Sequence, residues 1–187
     1  IKNIYRDYIE AGSKVITLNT FGANELKLDG TGYSVEDVFK KAMEIAKEVN
    51  GKDIFVAADI GPIGQLLEPM GTLSFDRAYE IFKRQVILIE TMTDLYEIKA
   101  AILAAKENSN LPVFCTMSFE ADGRTFTGCT PASMAITLEG LGVDALGVNC
   151  SLGPNEILEI IKEIKEYTIN GTAKCRIAKS FFWRSKL

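Results

Sequence analysis

The chain has 187 residues, 47% hydrophobic and 25% charged, which excludes the disordered and collagen-like classes and suits one globular domain with a sizeable core. Twenty-one basic against 25 acidic residues leave a net charge of -4, which gives no electrostatic footprint for nucleic acid. No apolar run is long enough for a membrane helix and no secretory signal opens the chain, so a cytoplasmic protein with neither nucleic acid nor membrane as partner is expected.

Ile1, Ile4, Tyr5, Tyr8 and Ile9 share one stripe and predict an opening helix that stops at Gly12. The chain enters already in this pattern, as though cut from something longer. Lys14 to Thr20 is a β-branched strand ending in Asn19-Thr20-Phe21, and residues 22–33 read as loop. Ser34 with Asp37 forms a capping-box pattern before a helix with Val35, Val38, Phe39, Ala42, Ile45 and Ala46 at helical spacing, closing at Asn50-Gly51. Ile54 to Ile60 is nearly all apolar, as a parallel strand covered on both faces requires. Asp59 falls near its end, either capping backbone or facing a ligand. The turn Gly61-Pro62-Ile63-Gly64 can bring backbone close to that ligand.

A helix from Ser74 places Phe75, Ala78, Tyr79, Phe82 and Val86 on one face, and Val86 to Thr91 then reads as strand. No Gly, Pro, Asn or Asp stands between Asp76 and Asp94 to reverse the chain, so an internal deletion of roughly a dozen residues is inferred there. Asp94 with Glu97 reads as another capping box, opening a helix through Ile98, Ala101, Ile102 and Ala105. Val113 to Phe119 is the next strand. After a polar loop, Thr127-Gly128-Cys129-Thr130-Pro131 leads into a helix whose N-terminus suits an anion. Ala145 to Asn149 is the last strand, Cys150 stands where it stops, and Pro154 opens a helix carrying Ile157, Ile160, Ile161 and Ile164. Beyond Tyr167 the segment Thr172 to Leu187 has five basic residues and no acidic one, which reads as a foreign or frame-shifted end or, less simply, a membrane-surface segment.

Histidine is absent, removing the commonest general base and metal ligand. The four cysteines, Cys115, Cys129, Cys150 and Cys175, lack C-x-x-C spacing, so each is by default a small buried hydrophobe. Chemistry must run on thiolate, carboxylate or metal. Cys150 is the cysteine set at a strand C-terminus, where the loops of a βα barrel converge on one open face.

The stretch Gly147-Val148-Asn149-Cys150-Ser151-Leu152-Gly153-Pro154 resembles the first zinc-cysteine motif of the homocysteine S-methyltransferase family, most like the homocysteine-binding module of the cobalamin-dependent methionine synthases. Asn19-Thr20-Phe21, Asp59-Ile60-Gly61-Pro62, Glu90-Thr91 and Thr127-Gly128 match the same family in the same order. The resemblance implies an incomplete TIM (β/α)8 barrel, with residues 1–168 a partial homocysteine-binding domain and 169–187 a divergent basic tail. It implies zinc-dependent methyl transfer to the homocysteine thiol to give methionine. Cys150 would be the first of three cysteine ligands to zinc. Glu90 would take the substrate ammonium, and Asn19, Thr20, Asp59 and Asn149 would line the pocket. Methylcobalamin would reside on a separate domain, the cobalamin- and folate-binding domains of the parent chain being the partners. Betaine or S-methylmethionine as donor, and an inactive truncated fragment, are the alternatives. The family's Gly-Gly-Cys-Cys segment and its Asp-Gly-Ala-x-Gly-Thr segment are missing from this sequence. An unrelated βα enzyme binding phosphate at the Gly61 turn or the Pro131 helix has no Gly-x-Gly-x-x-Gly or P-loop to support it.

Overall fold

A computed structural model describes residues 1–49, 54–83, 88–150 and 152–168. Its strands are β1 (Val15–Thr17), β2 (Phe55–Ala57), β3 (Asp59–Ile60), β4 (Leu88–Met92), β5 (Phe114–Met117) and β6 (Ala145–Val148). Around them run α1 (Lys2–Glu10), α2 (Glu25–Leu28), α3 (Val35–Lys47), α4 (Phe75–Phe82), α5 (Leu95–Asn108), α6 (Pro131–Gly140) and α7 (Pro154–Glu166). Every pairing is parallel and joins neighbours in sequence, β1 to β2 and then β3-β4-β5-β6. This is the strand order of a βα barrel, present as an arc.

The strand expected over Ile54–Ile60 is seen as β2, which pairs with β1, and β3, which pairs with β4, on either side of Ala58. Ala57 O accepts from Leu18 N beside β1 at 2.8 Å, and Ala58 O accepts from Leu88 N of β4 at 2.8 Å. Residues 22–33, expected to be loop, contain α2, whose N-cap Asn24 accepts from Lys27 N at 3.0 Å. The Ser34–Asp37 box forms as expected, with Ser34 Oγ accepting from Asp37 N at 3.1 Å and Asp37 Oδ2 accepting from Ser34 N at 3.3 Å. The closing Asn50-Gly51, the inferred deletion after Val86, Ser151, Cys175 and the tail 169–187 lie outside the described residues.

Strand alternation sorts the two sheet faces. Ile16, Leu18 and Ala58 pack against Tyr5, Ala42 and Ala46 of α1 and α3. Ile60, Ile89, Met92, Cys115, Met117, Leu146 and Val148 pack in a second cluster with α4 to α7. The intervening residues therefore face the concave side. Val15, Phe55 and Phe114 lie toward the strand starts, and Asn19, Asp59, Glu90, Ser118 and Asn149 toward the strand ends. One end of the concave face is thus apolar and the other polar, which makes the C-terminal rim the candidate site. Among the described residues no helix is long and apolar enough to cross a membrane.

Candidate functional site

Two strand ends meet at Cys150. In β4 the pairing with β5 slips between Ile89 and Met92, three residues opposing the two-residue step from Cys115 to Met117, so β4 carries a bulge. Thr91 stands in it at φ 62°, a left-handed conformation costly for a β-branched residue, and Cys150 takes φ 71° at the end of β6. The bulge turns Thr91 toward β6. Asn149 Nδ2 donates to Thr91 Oγ1 at 2.7 Å and reaches Cys150 Sγ at 3.3 Å, while the Thr91 hydroxyl points its donor at the same sulfur from 3.9 Å. Ser118 Oγ donates to Asn149 O at 2.9 Å, and Thr116 Oγ1 accepts from Thr91 N at 3.3 Å, holding both strand ends to β5. Cys150 is exposed and Asn149 buried, so the sulfur faces outward from a rigid seat of donors.

The other cysteines differ. Cys115 is buried on the helix-facing side, where desolvation holds its thiol well above the usual range. Burial pushes Cys129 up to about 11, and its Sγ donates to Thr130 O at 3.3 Å. Both stay protonated and inert. The expected anion site at the start of α6 is filled from within, since Ala132 N donates to Glu163 Oε1 at 3.2 Å.

The remaining residues expected at the site divide. Glu90 sits on the concave face beside Thr91, and Asp59 is buried on the neighbouring strand in register with Leu88. Thr20 laces β1 to β3, its hydroxyl donating to Asp59 O at 2.8 Å and accepting from Asp59 N at 3.1 Å. Asn19 donates its backbone N–H to the Tyr5 hydroxyl at 3.1 Å and lines a cleft of about 750 Å³ with Tyr5, Tyr33 and Val38. None of Asp59, Glu90, Asn149 and Cys150 lines that cleft. Sequence reasoning missed the roles of Thr116, Ser118 and Tyr5. The signal for the first two was present, as polar residues two apart within the otherwise apolar run Val113–Phe119.

The expected Asp94–Glu97 capping box does not form. Asp94 caps α5 by accepting from Tyr96 N at 2.8 Å, whereas Glu97 is 4% exposed and accepts from Ile63 N at 2.6 Å. Burial pushes its carboxyl up to about 7. The Ile63 hydrogen bond opposes that rise, Asp94 adds to it and Lys27 opposes it. A folded-state value above the unfolded one of 4.5 favours the folded chain below about pH 4.5, and this stabilisation is lost as pH rises through about 7. Chemical denaturation of wild type and Glu97→Gln at pH 5 and pH 8 should show the variant gaining on the order of 2–3 kcal/mol relative to wild type at the higher pH. An unchanged difference would return Glu97 to the ordinary carboxylate range.

A catalytic zinc takes three protein ligands and leaves a fourth position for substrate. Cys150 suits one ligand, but among the described residues no three His, Cys, Asp or Glu side chains cluster to hold a metal. These residues alone do not form a zinc site.

Comparison with known proteins places this geometry. The chain is 27% identical over 190 residues to methionine synthase of Mycobacterium tuberculosis, covering 89% of this chain and 16% of that protein. It is 28% identical over 183 residues to betaine–homocysteine S-methyltransferase 1 of Sus scrofa, covering 89% of this chain and 64% of that protein. The chain thus spans less than two thirds of the curated relatives it matches. The metallated form of the homocysteine methyltransferase MmuM from Escherichia coli superposes with a TM-score of 0.67 at 18% identity, over 89% of this chain and 68% of that one, which shows the fold. The sequence model of the homocysteine S-methyltransferase family matches residues 1–180, and the chain therefore belongs to that family.

Proposed function

We propose that this chain is part of the homocysteine-binding module of a zinc-dependent homocysteine methyltransferase of the methionine synthase kind. The observation that carries the reading is the seat of Cys150, an exposed thiol at the end of β6 with Asn149 and Thr91 donors on its sulfur, Glu90 standing beside Thr91 on β4 two strands away. Homocysteine reacts as its thiolate, which an unperturbed thiol supplies poorly near neutral pH. Zinc, when bound, supplies the missing activation by taking the substrate sulfur as a ligand with loss of its proton. Cys150 would be one ligand, with the other two supplied by the Gly-Gly-Cys-Cys segment that this sequence lacks. Glu90 and Asp59 face the substrate's ammonium end. The substrate sulfur then bonds to the methyl carbon as the bond from that carbon to the donor breaks, the electron pair leaving with the donor.

The motif around Cys150 is most like that of the methionine synthases, so methylcobalamin carried on another domain of a parent chain is the proposed donor, and betaine is the competing one. Assaying the complete barrel with each donor separates them: methyl transfer from betaine alone would sink the methylcobalamin assignment.

Glu90→Gln tests the substrate pocket. Removing the charge that pairs with the ammonium should weaken homocysteine binding about 10- to 100-fold in the complete barrel, the effect of losing a hydrogen bond to a charged group. Zinc content should stay unchanged. Equal homocysteine affinity by calorimetry in both proteins would make Glu90 a structural carboxylate.

A further inference from the structure

The loop Gly61–Gly64 follows directly on β3, which bears Asp59, and neighbouring elements hold most of its backbone groups. Gly61 N donates to Phe21 O at 3.0 Å, and a Cβ at Gly61 would meet the Phe21 ring at 2.5 Å, so any side chain there would force that ring to shift. Lys27 Nζ of α2 donates to Pro62 O at 2.7 Å, and the buried Asn24 donates from Nδ2 to Ile63 O at 3.4 Å. From the opposite side Glu97 Oε1 accepts from Ile63 N at 2.6 Å. Glu97 occupies the first turn of α5, the helix that β4 feeds through Asp94, so this carboxylate ties the βα unit carrying Glu90 to the loop after the strand carrying Asp59.

We infer that Glu97 is a positioning residue, whose buried carboxylate clamps the Ile63 amide and so sets the Asp59 strand end against the Glu90 strand end. The inference rests on the reading that Asp59 and Glu90 face homocysteine. The groups facing Glu97 are the Ile63 amide, Asp94 of α5 and Lys27 of α2, and its depth leaves little water to replace the amide it holds. An unfilled partner there would be a buried polar group without a bond, which explains a short, well-made contact at this point. Glu97 touches no reacting atom; it acts through the loop.

Hydrogen–deuterium exchange on the 187-residue chain, with Glu97→Asp and Glu97→Gln, tests it. Asp keeps the charge but is one methylene too short to reach Ile63 N, whereas Gln keeps both reach and acceptor. Exchange over residues 61–66 and 88–92 should rise about tenfold or more in Glu97→Asp, stay near wild type in Glu97→Gln, and remain unchanged over α6 and α7 in both. Homocysteine affinity should fall at least severalfold in Glu97→Asp alone. Unchanged exchange at 61–66 in Glu97→Asp, or an equal rise across the whole chain in both variants, overturns the inference. Homocysteine affinity is read in the complete barrel: if that protein without substitution binds no homocysteine, the substrate reading fails, while the exchange pattern still decides whether Glu97 clamps the loop.

Discussion

After dialysis the 187-residue chain is expected to hold far less than one zinc per molecule. Complete thiolate zinc sites bind with apparent free energies on the order of 10–16 kcal/mol near neutral pH, and most of this is lost when ligands are removed. Histidine is absent, Cys115 is sealed on the helix-facing side, and the Cys129 thiol is protonated and bonded to Thr130 O. That leaves Cys150 as the one described cysteine available to a metal. Supplying the family's Gly-Gly-Cys-Cys segment should restore stoichiometric zinc, and Cys150→Ser should abolish it again. Metal analysis decides: tight one-to-one zinc in the chain as it stands would show that its own residues complete the site.

The second large expectation is self-association. A closed barrel of this fold has eight strands, and the described residues contribute five positions in the arc, β2 and β3 sharing one. Within that arc β1 and β6 each lack a neighbour on one side, and such edges recruit other chains. The concave face adds an apolar contribution. Val15 is 49% exposed and Phe55 is 73% exposed although they are cross-strand partners, and Phe114 is 39% exposed on the same face. Covering one such side chain is worth about 1.5–3 kcal/mol, enough for several together to favour a partner over water. Sedimentation velocity should therefore show species larger than a monomer that grow with concentration, and Phe55→Lys should reduce them. A concentration-independent monomer melting in one sharp transition would mean that the chain satisfies its own concave face.

The alternation of strand and helix was legible in the sequence because it depends on local patterning. The Ser34–Asp37 box and the Pro131 and Pro154 helix starts act within a few residues, and each forms where its pattern places it, while the apolar run Ile54–Ile60 forms strand on either side of Ala58. The position of Cys150 at a strand end followed from the same patterning. What the sequence did not reveal were the consequences of pairing between strands distant in the chain. The bulge that turns Thr91 toward Cys150 arises from the register of β4 against β5, to which no residue near Thr91 is a guide. Thr20 reads as a pocket residue, yet folding brings Asp59 within reach and its hydroxyl closes on that backbone. Glu97 carries the pattern of a helix cap, but burial against Ile63 offers its carboxylate an amide 34 residues away, and it bonds there instead. Local propensity thus determined most elements of this protein and their order, the short α2 within the expected loop 22–33 excepted. Only the tertiary structure decided which polar side chains serve the backbone and which stand on the concave face, because a buried hydrogen-bonding group takes whatever partner the fold delivers.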